Sequence, residues 1–265
     1  MAFDPSKFKT DEPRCFPVIL LLDLSGSMNA VEGGDIVHTG KIVYSDGQHW
    51  EIVEGGTTRR DALYQSVKDM VDSFAAQATR EKTIKVAVIT FSGAGASLHT
   101  PYTDAAELRA RGVPEFYADG DTPLGAALKK AKELLEDRIV TPGVWYVPNV
   151  VLVSDGEPND CWKGPLSDFT EKGRSSKCLR IAVPIGTEAD VAMMESFTKD
   201  KAMIFYAQDA GAIAEQFKQV VMSVTQSQTA AKTIKAATES ATATLVRTAG
   251  STVKRVAHHD DEDEE

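Results

Sequence analysis

The chain has 265 residues, 42% hydrophobic and 26% charged, the make-up of a globular domain that buries its own core without staples. Of its net charge of −10, six charges fall on the consecutive acids Asp260 to Glu265; the remainder is close to neutral and offers no basic face, which argues against nucleic-acid binding. Three scattered cysteines, Cys15, Cys161 and Cys178, form no C-x-x-C pair, which argues against a zinc ribbon or a disulfide framework.

The N-terminal stretch "MAFDPSKFKTDEPRCFP" has no charged-then-apolar-then-small pattern. The longest apolar run, Val18 to Leu22, is far too short to cross a bilayer. A cytoplasmic location without membrane contact is therefore expected.

In chain order, "FPVILLLDL" reads as a buried strand. The segment Asn29 to Thr58 then separates this strand from its helix, where a loop of a few residues would be usual. It is bracketed by Gly33-Gly34 and Gly55-Gly56. Inside it, "KIVYSDGQHWEIV" predicts a hairpin around Asp46-Gly47, a pair preferred in two-residue turns. That register sets Tyr44 opposite His49 and Val43 opposite Trp50.

"TRRDALYQSVKDMVDSFAAQATR" carries Leu63, Val67, Met70, Val71 and Phe74 at helical spacing. Ile84 to Phe91 is β-branched and strand-like, and Gly93 to Thr103 reads as a loop. "TPLGAALKKAKELLEDR" places Leu124, Ala127, Leu128, Ala131, Leu134 and Leu135 on one helical face. "PNVVLVSDG" and "CLRIAVPIG" read as strands, "EADVAMMESFTK" as a helix, "AMIFYA" as a short strand and "AGAIAEQFKQVVMSVTQ" as a closing helix. This alternation predicts an α/β fold with a mostly parallel central sheet and helices on both faces. The predicted domain spans residues 14–226, with a flexible tail over 227–265 that is rich in Ala, Thr and Ser.

In such folds ligands bind beyond the carboxyl ends of the strands, and three segments bring oxygen there. Asp23-Leu-Ser25-Gly-Ser27 ends the first strand, Thr122 stands just before a helix in "DGDTPLG", and Asp155 ends a strand in "VSDGEP". Two carboxylates and three hydroxyls are hard donors suited to Mg2+, with Mn2+ or Ca2+ as alternatives. Neutral hydroxyls leave such a cation under-compensated, so it would seek an anionic oxygen from outside.

"DLSGS" resembles the D-x-S-x-S signature of von Willebrand factor A (vWA) domains. Thr122 and Asp155 match the other two parts of that family's metal-ion-dependent adhesion site (MIDAS). The resemblance covers roughly Arg14 to Gln226. It implies a Rossmann-like fold with the β-hairpin as an insertion. It also implies a cation held by Asp23, Ser25, Ser27, Thr122 and Asp155, and a partner protein whose Glu or Asp completes the shell. The wording of "TPLGAAL" and "LVSDGEP" looks most like bacterial TerY-type members, associated with tellurium resistance, stress response and phage defence.

Two features depart from the minimal family pattern. Asp121 precedes Thr122 where Gly is common, adding a carboxylate near the expected metal. The 29–58 insertion leaves the metal loop directly, and its aromatics Tyr44 and Trp50 are candidate partner-binding residues together with Asp121. The acidic tail could dock on the metal of its own or a neighbouring chain, giving self-association.

Enzyme readings fit less well. "GGDIVHTGKI" resembles a phosphate loop, but five residues separate Gly34 from Gly40 and Ile42 stands where Ser or Thr must meet Mg2+. A haloacid-dehalogenase-like phosphatase would want an acid at position 25, where Ser25 is a poor proton donor. The expected protein is a non-enzymatic recognition module; the other reading is an assembly subunit whose metal only stiffens loops.

Overall fold

The computed structural model describes residues 14–45, 48–80, 82–93 and 95–226. Five strands form the main sheet: β1 (Arg14–Asp23), β4 (Lys82–Ser92), β5 (Gly95–Asp104), β6 (Asn149–Ser154) and β7 (Leu179–Pro184). Their order is β5-β4-β1-β6-β7. β1 runs parallel to β4 and β6, and β6 parallel to β7, whereas β5 is antiparallel. A further pair, β2 (Val31–Ser45) and β3 (Gln48–Thr58), makes a separate antiparallel hairpin.

β1 lies at the centre because it is covered on both faces. From Cys15 to Asp23 every residue is buried, as a continuous apolar run in a parallel sheet requires. Its alternate side chains Ile19 and Leu21 join Ala87, Ile89, Val150 and Leu152 in one layer. Helices α3 (Leu124–Glu136), α4 (Lys163–Glu171) and α5 (Val191–Thr198) cover that layer with Leu128, Phe169 and Phe197. Val18, Leu20 and Leu22 point to the opposite face and are equally buried.

Helix α1 (Arg59–Ala76) buries the whole predicted stripe of Leu63, Val67, Met70, Val71 and Phe74. Thr58 caps it by accepting the Asp61 N–H. The chain is helical again over 210–222, which we term α6, with Ile213, Phe217 and Val220 buried. It divides into two compact units at Met222/Ser223, and the described part of the second, 223–226, is helical. No helix among the described residues is long and apolar enough to cross a membrane.

The sheet differs from expectation at both margins. The predicted 93–103 loop is largely β5, an edge strand with irregular register against β4. Pro101 and the polar sequence conceal it, and an edge strand tolerates both. The predicted strand "AMIFYA" instead makes two isolated parallel bridges, Ala182 to Ile204 and Ile185 to Ala207, after a 3-10 turn at Lys201–Met203. Helix α2 (Ala105–Arg111) is under two turns long, and α4 carries few apolar residues, so neither stands out in the sequence.

The hairpin is longer than the predicted core of it. It pairs Tyr44 with His49 and Val43 with Trp50, and irregularities break the ladder nearer its base. Asp46 and Gly47, the predicted turn, lie outside the described residues, as do residues 1–13 and 227–265 with the acidic run.

Candidate metal centre

The parallel sheet delivers its acids to one edge. Asp23 is the last residue of β1 and Asp155 follows β6, and both are fully buried. After Asp23 the chain turns into a short 3-10 segment, Gly26–Asn29, whose Met28 is sunk into the core. That anchor holds Ser25 and Ser27 over the strand ends.

A chain of hydrogen bonds through Ser25 and Ser27 links the two acids. The Ser25 N–H donates to Asp23 Oδ1 at 2.9 Å. Ser25 Oγ lies 3.0 Å from Ser27 Oγ. The Ser27 hydroxyl donates to Asp155 Oδ1 at 2.8 Å. Ser154, the last residue of β6, donates its hydroxyl to Asp23 Oδ2.

Thr122 reaches the same place from a third segment and is nearly buried. Its Oγ1 stands 3.9 Å from where a Cβ on Gly156 would be, beside Asp155. Asn159 clasps it from both sides: its Oδ1 accepts the Thr122 N–H at 3.1 Å, and its own N–H donates to Thr122 O at 3.2 Å. Asp160 accepts the Gly125 and Ala126 N–H groups at 2.9 and 3.1 Å, capping the start of α3.

The 118–122 loop is pinned to the motif by backbone bonds from Gly26 N–H to Gly120 O and from Asp119 N–H to Leu24 O, both 2.8 Å. Gly120 has φ +67°, and a Cβ there would come within 2.8 Å of Gly93 Cα. Only glycine allows that approach.

The electrostatics fit a cation. Burial, then the neighbouring charge of Asp155, push Asp23 up to about 7, against the lowering effect of its bonds from Ser154 and Ser25. Two buried carboxylates joined by hydroxyls form a hard-oxygen set whose mutual repulsion a divalent ion would relieve. Among the described residues no group of three or more His, Cys, Asp or Glu comes together; here hydroxyls stand where more acids would otherwise be.

Arg59 was not anticipated from the sequence. The first residue of α1, it donates Nη1–H to Asp155 Oδ2 at 2.8 Å and Nη2–H to Glu32 of β2. Burial acts to lower its pKa, but the bonds and charges of Glu32 and Asp155 outweigh this and hold it above the usual arginine value. One signal was available: a cation in the first turn of a helix opposes the dipole, so "TRRD" called for a carboxylate nearby. Ser154, Asn159 and Asp160 were also missed, although serine, asparagine and aspartate in "SDGEPND" are the residue types that cap and clasp turns.

The predicted partner-binding residues come from the hairpin strands and from the loop before α3. Tyr44 is 69% exposed on the hairpin, edge-on to His49 with ring centroids 5.1 Å apart. Trp50 is placed opposite Val43 by its backbone, and its side chain lies outside the described set. Asp121 is exposed on the rim, one residue from Thr122. Cys15 and Cys178 are buried, with thiols pushed up to about 12 mainly by burial, which suits structural residues.

Residues 18–157 match the profile of the von Willebrand factor type A domain. No curated protein matches. Among solved structures, proximal thread matrix protein 1 from the mussel byssus, described with a zinc-occupied MIDAS motif, aligns with TM-score 0.52 and 18% identity over 80% of this chain and 46% of its own. A second crystal form of that mussel protein aligns with TM-score 0.50 and 16% identity over the same shares. The chain thus spans less than half of these structures' own length. The manganese-loaded TRAP protein of Plasmodium vivax also matches, with TM-score 0.48 and 15% identity over 80% of this chain and 74% of its own.

Proposed function

The chain belongs to the von Willebrand factor type A domain family, and from that premise we propose that it recognises an acidic residue of a partner protein through a bound divalent cation. Asp23, Ser25, Ser27, Thr122 and Asp155 would hold the ion as a MIDAS. When bound, the ion supplies a Lewis-acid position for an anionic oxygen. Mg2+ suits a set of two carboxylates and three hydroxyls, with Mn2+ and Ca2+ as alternatives. The mussel protein's zinc-occupied motif adds Zn2+ to the ions to be tested.

One observation carries this reading: the unbroken run from Asp23 through Ser25 and Ser27 to Asp155, which makes one donor set of two strand ends. Ser25 lies on that run, bonded to Ser27, at the position where a phosphatase would place its general acid. This favours a non-enzymatic module. The "TPLGAAL" and "LVSDGEP" wording favours a bacterial stress-response or phage-defence setting, in the cytoplasm.

The test is calorimetric titration of the full chain with Mg2+, Mn2+, Ca2+ and Zn2+, beside Asp23→Ala, followed by partner capture with and without EDTA. Binding lost in Asp23→Ala, and capture released by EDTA, support the reading. Capture undiminished by both removes the metal from recognition. A melting temperature lowered by EDTA with capture intact makes the metal merely structural.

A further inference from the structure

We propose that Arg59 is a positioning residue that couples the hairpin to the metal cradle: a resident cation that shares Asp155 with the divalent ion and passes to Glu32 when the ion binds. The inference rests on the reading of Asp155 as part of a metal site.

Arg59 stands where the two parts meet. Its backbone N–H donates to Ala30 O at 3.0 Å, closing the loop that leads into β2. Its side chain turns inward and is 9% exposed. It lies against Gly186 (φ +71°), where a Cβ would come within 2.9 Å of Nη2. The guanidinium thus occupies a slot that a side chain at position 186 would close.

Within that slot the guanidinium is divided. Nη1 serves Asp155 Oδ2, while Asp155 Oδ1 accepts from Ser27 of the motif. Nη2 serves Glu32 Oε1. Two buried atoms are left without a hydrogen-bond partner, Arg59 Nε and Glu32 Oε2. They are the atoms that a side-on, two-bond arginine–carboxylate pair would join, since Nε and Nη2 form one edge of the fork. A buried polar atom without a partner costs free energy. The bridging arrangement therefore has a second arrangement close by, in which Arg59 closes fully on Glu32.

A divalent ion at the cradle favours that second arrangement. It competes for the charge of Asp155 and repels the guanidinium beside it. Release of Nη1 lets Arg59 pair with Glu32 through both bonds and firms the base of the hairpin. Linkage makes this reciprocal: Glu32, by drawing Arg59 away, strengthens metal binding.

Calorimetry with Mg2+ and amide exchange on the full chain test this with Arg59→Met and Glu32→Gln. In the wild type, Mg2+ should slow exchange at 31–33 and 56–58, and both variants should abolish that response. Glu32→Gln should weaken Mg2+ binding about fivefold, the low end of ordinary coupling between sites. Arg59→Met should tighten it by about tenfold, as removal of a neighbouring cation predicts. An unchanged Mg2+ affinity in Glu32→Gln, or the same Mg2+-induced slowing in both variants, overturns the proposal. Should Arg59→Met fail to fold, Glu32→Gln, whose side chain is partly exposed, decides alone. A wild type that binds neither Mg2+ nor Mn2+ defeats the metal reading instead. The tether is then judged in metal-free protein, where either variant must speed exchange at the hairpin base, and no change overturns it.

Discussion

Asp23 and Asp155 are completely buried, whereas Tyr44 and Ile42, about twenty residues further along the chain from Asp23, are 69% and 67% exposed. The cradle gathers its oxygens from three segments and crosslinks them through backbone bonds, Gly26 to Gly120 and Asn159 to Thr122 among them. The hairpin has a ladder of its own and presents Val37, Ile42, Val43 and Ile52 to solvent. A site that must hold an ion needs donors fixed before the ion arrives. A surface that recognises a protein needs exposed apolar and aromatic area instead. On the proposed function the first region would carry the chemistry and the second the selectivity, with Arg59 and Glu32 at their junction.

The largest expected effect falls on the cradle. Asp23→Ala should cost more than about 100-fold in Mg2+ affinity, beyond what loss of outer-shell support costs, as read by calorimetry. Retained affinity would dissolve the distinction between the two regions.

The next is a dependence on pH that belongs to the cradle alone. In EDTA, the folded protein keeps a proton on Asp23 up to about pH 7, whereas the unfolded chain loses it near 4, so stability should fall as pH rises from 4 to 7. Each unit of that difference is worth roughly 1.4 kcal/mol, so a few kcal/mol are at stake. Saturating Mg2+ should flatten the slope by favouring the carboxylate. Urea unfolding at pH 5 and 7.5, with EDTA and with Mg2+, reads both; a stability that rises over this range in EDTA contradicts the burial of Asp23.

Smaller again is the clasp. Asp160→Ala removes the acceptor for Gly125 and Ala126 and should destabilise by about 1 kcal/mol, the usual cost of a lost helix cap. Because α3 begins two residues after Thr122, Mg2+ affinity should fall with it, and lost stability without that fall would confine Asp160 to a structural part. Tyr44→Ala should change stability least, by under about 0.5 kcal/mol as at other exposed positions, yet weaken EDTA-sensitive capture severalfold. Unaltered capture would move selectivity off the hairpin.

Much of this was legible in advance. Strands with long buried apolar runs, such as Val18 to Leu22 of β1 and Val150 to Val153 of β6, announce themselves because nothing polar interrupts the run. The α1 and α3 stripes announce themselves by spacing. The place of the two acids was legible for a related reason: Asp23 and Asp155 sit at strand ends, so alternation of elements alone carries them to one edge, whereas Thr122 stands before a helix and is brought there by its loop. β5 was hidden because an edge strand has to satisfy only one neighbour, and its mixed sequence reads as a loop. The "AMIFYA" strand was overread, since apolar content does not reveal that only two bridges form.

The amino-acid order by itself determined which residues could ligate a hard cation, which segments would be buried, and that an excursion leaves the metal loop, because these depend on neighbours in the chain and on repeat spacing. Only the tertiary structure decided that Arg59 turns inward to divide itself between Asp155 and Glu32, that Gly186 leaves room for it, and that Asn159 and Asp160 clasp the Thr122 loop. Those contacts join residues 27 to 127 positions apart. Their energy depends on burial and distance, neither of which exists until the sheet has brought its strand ends together.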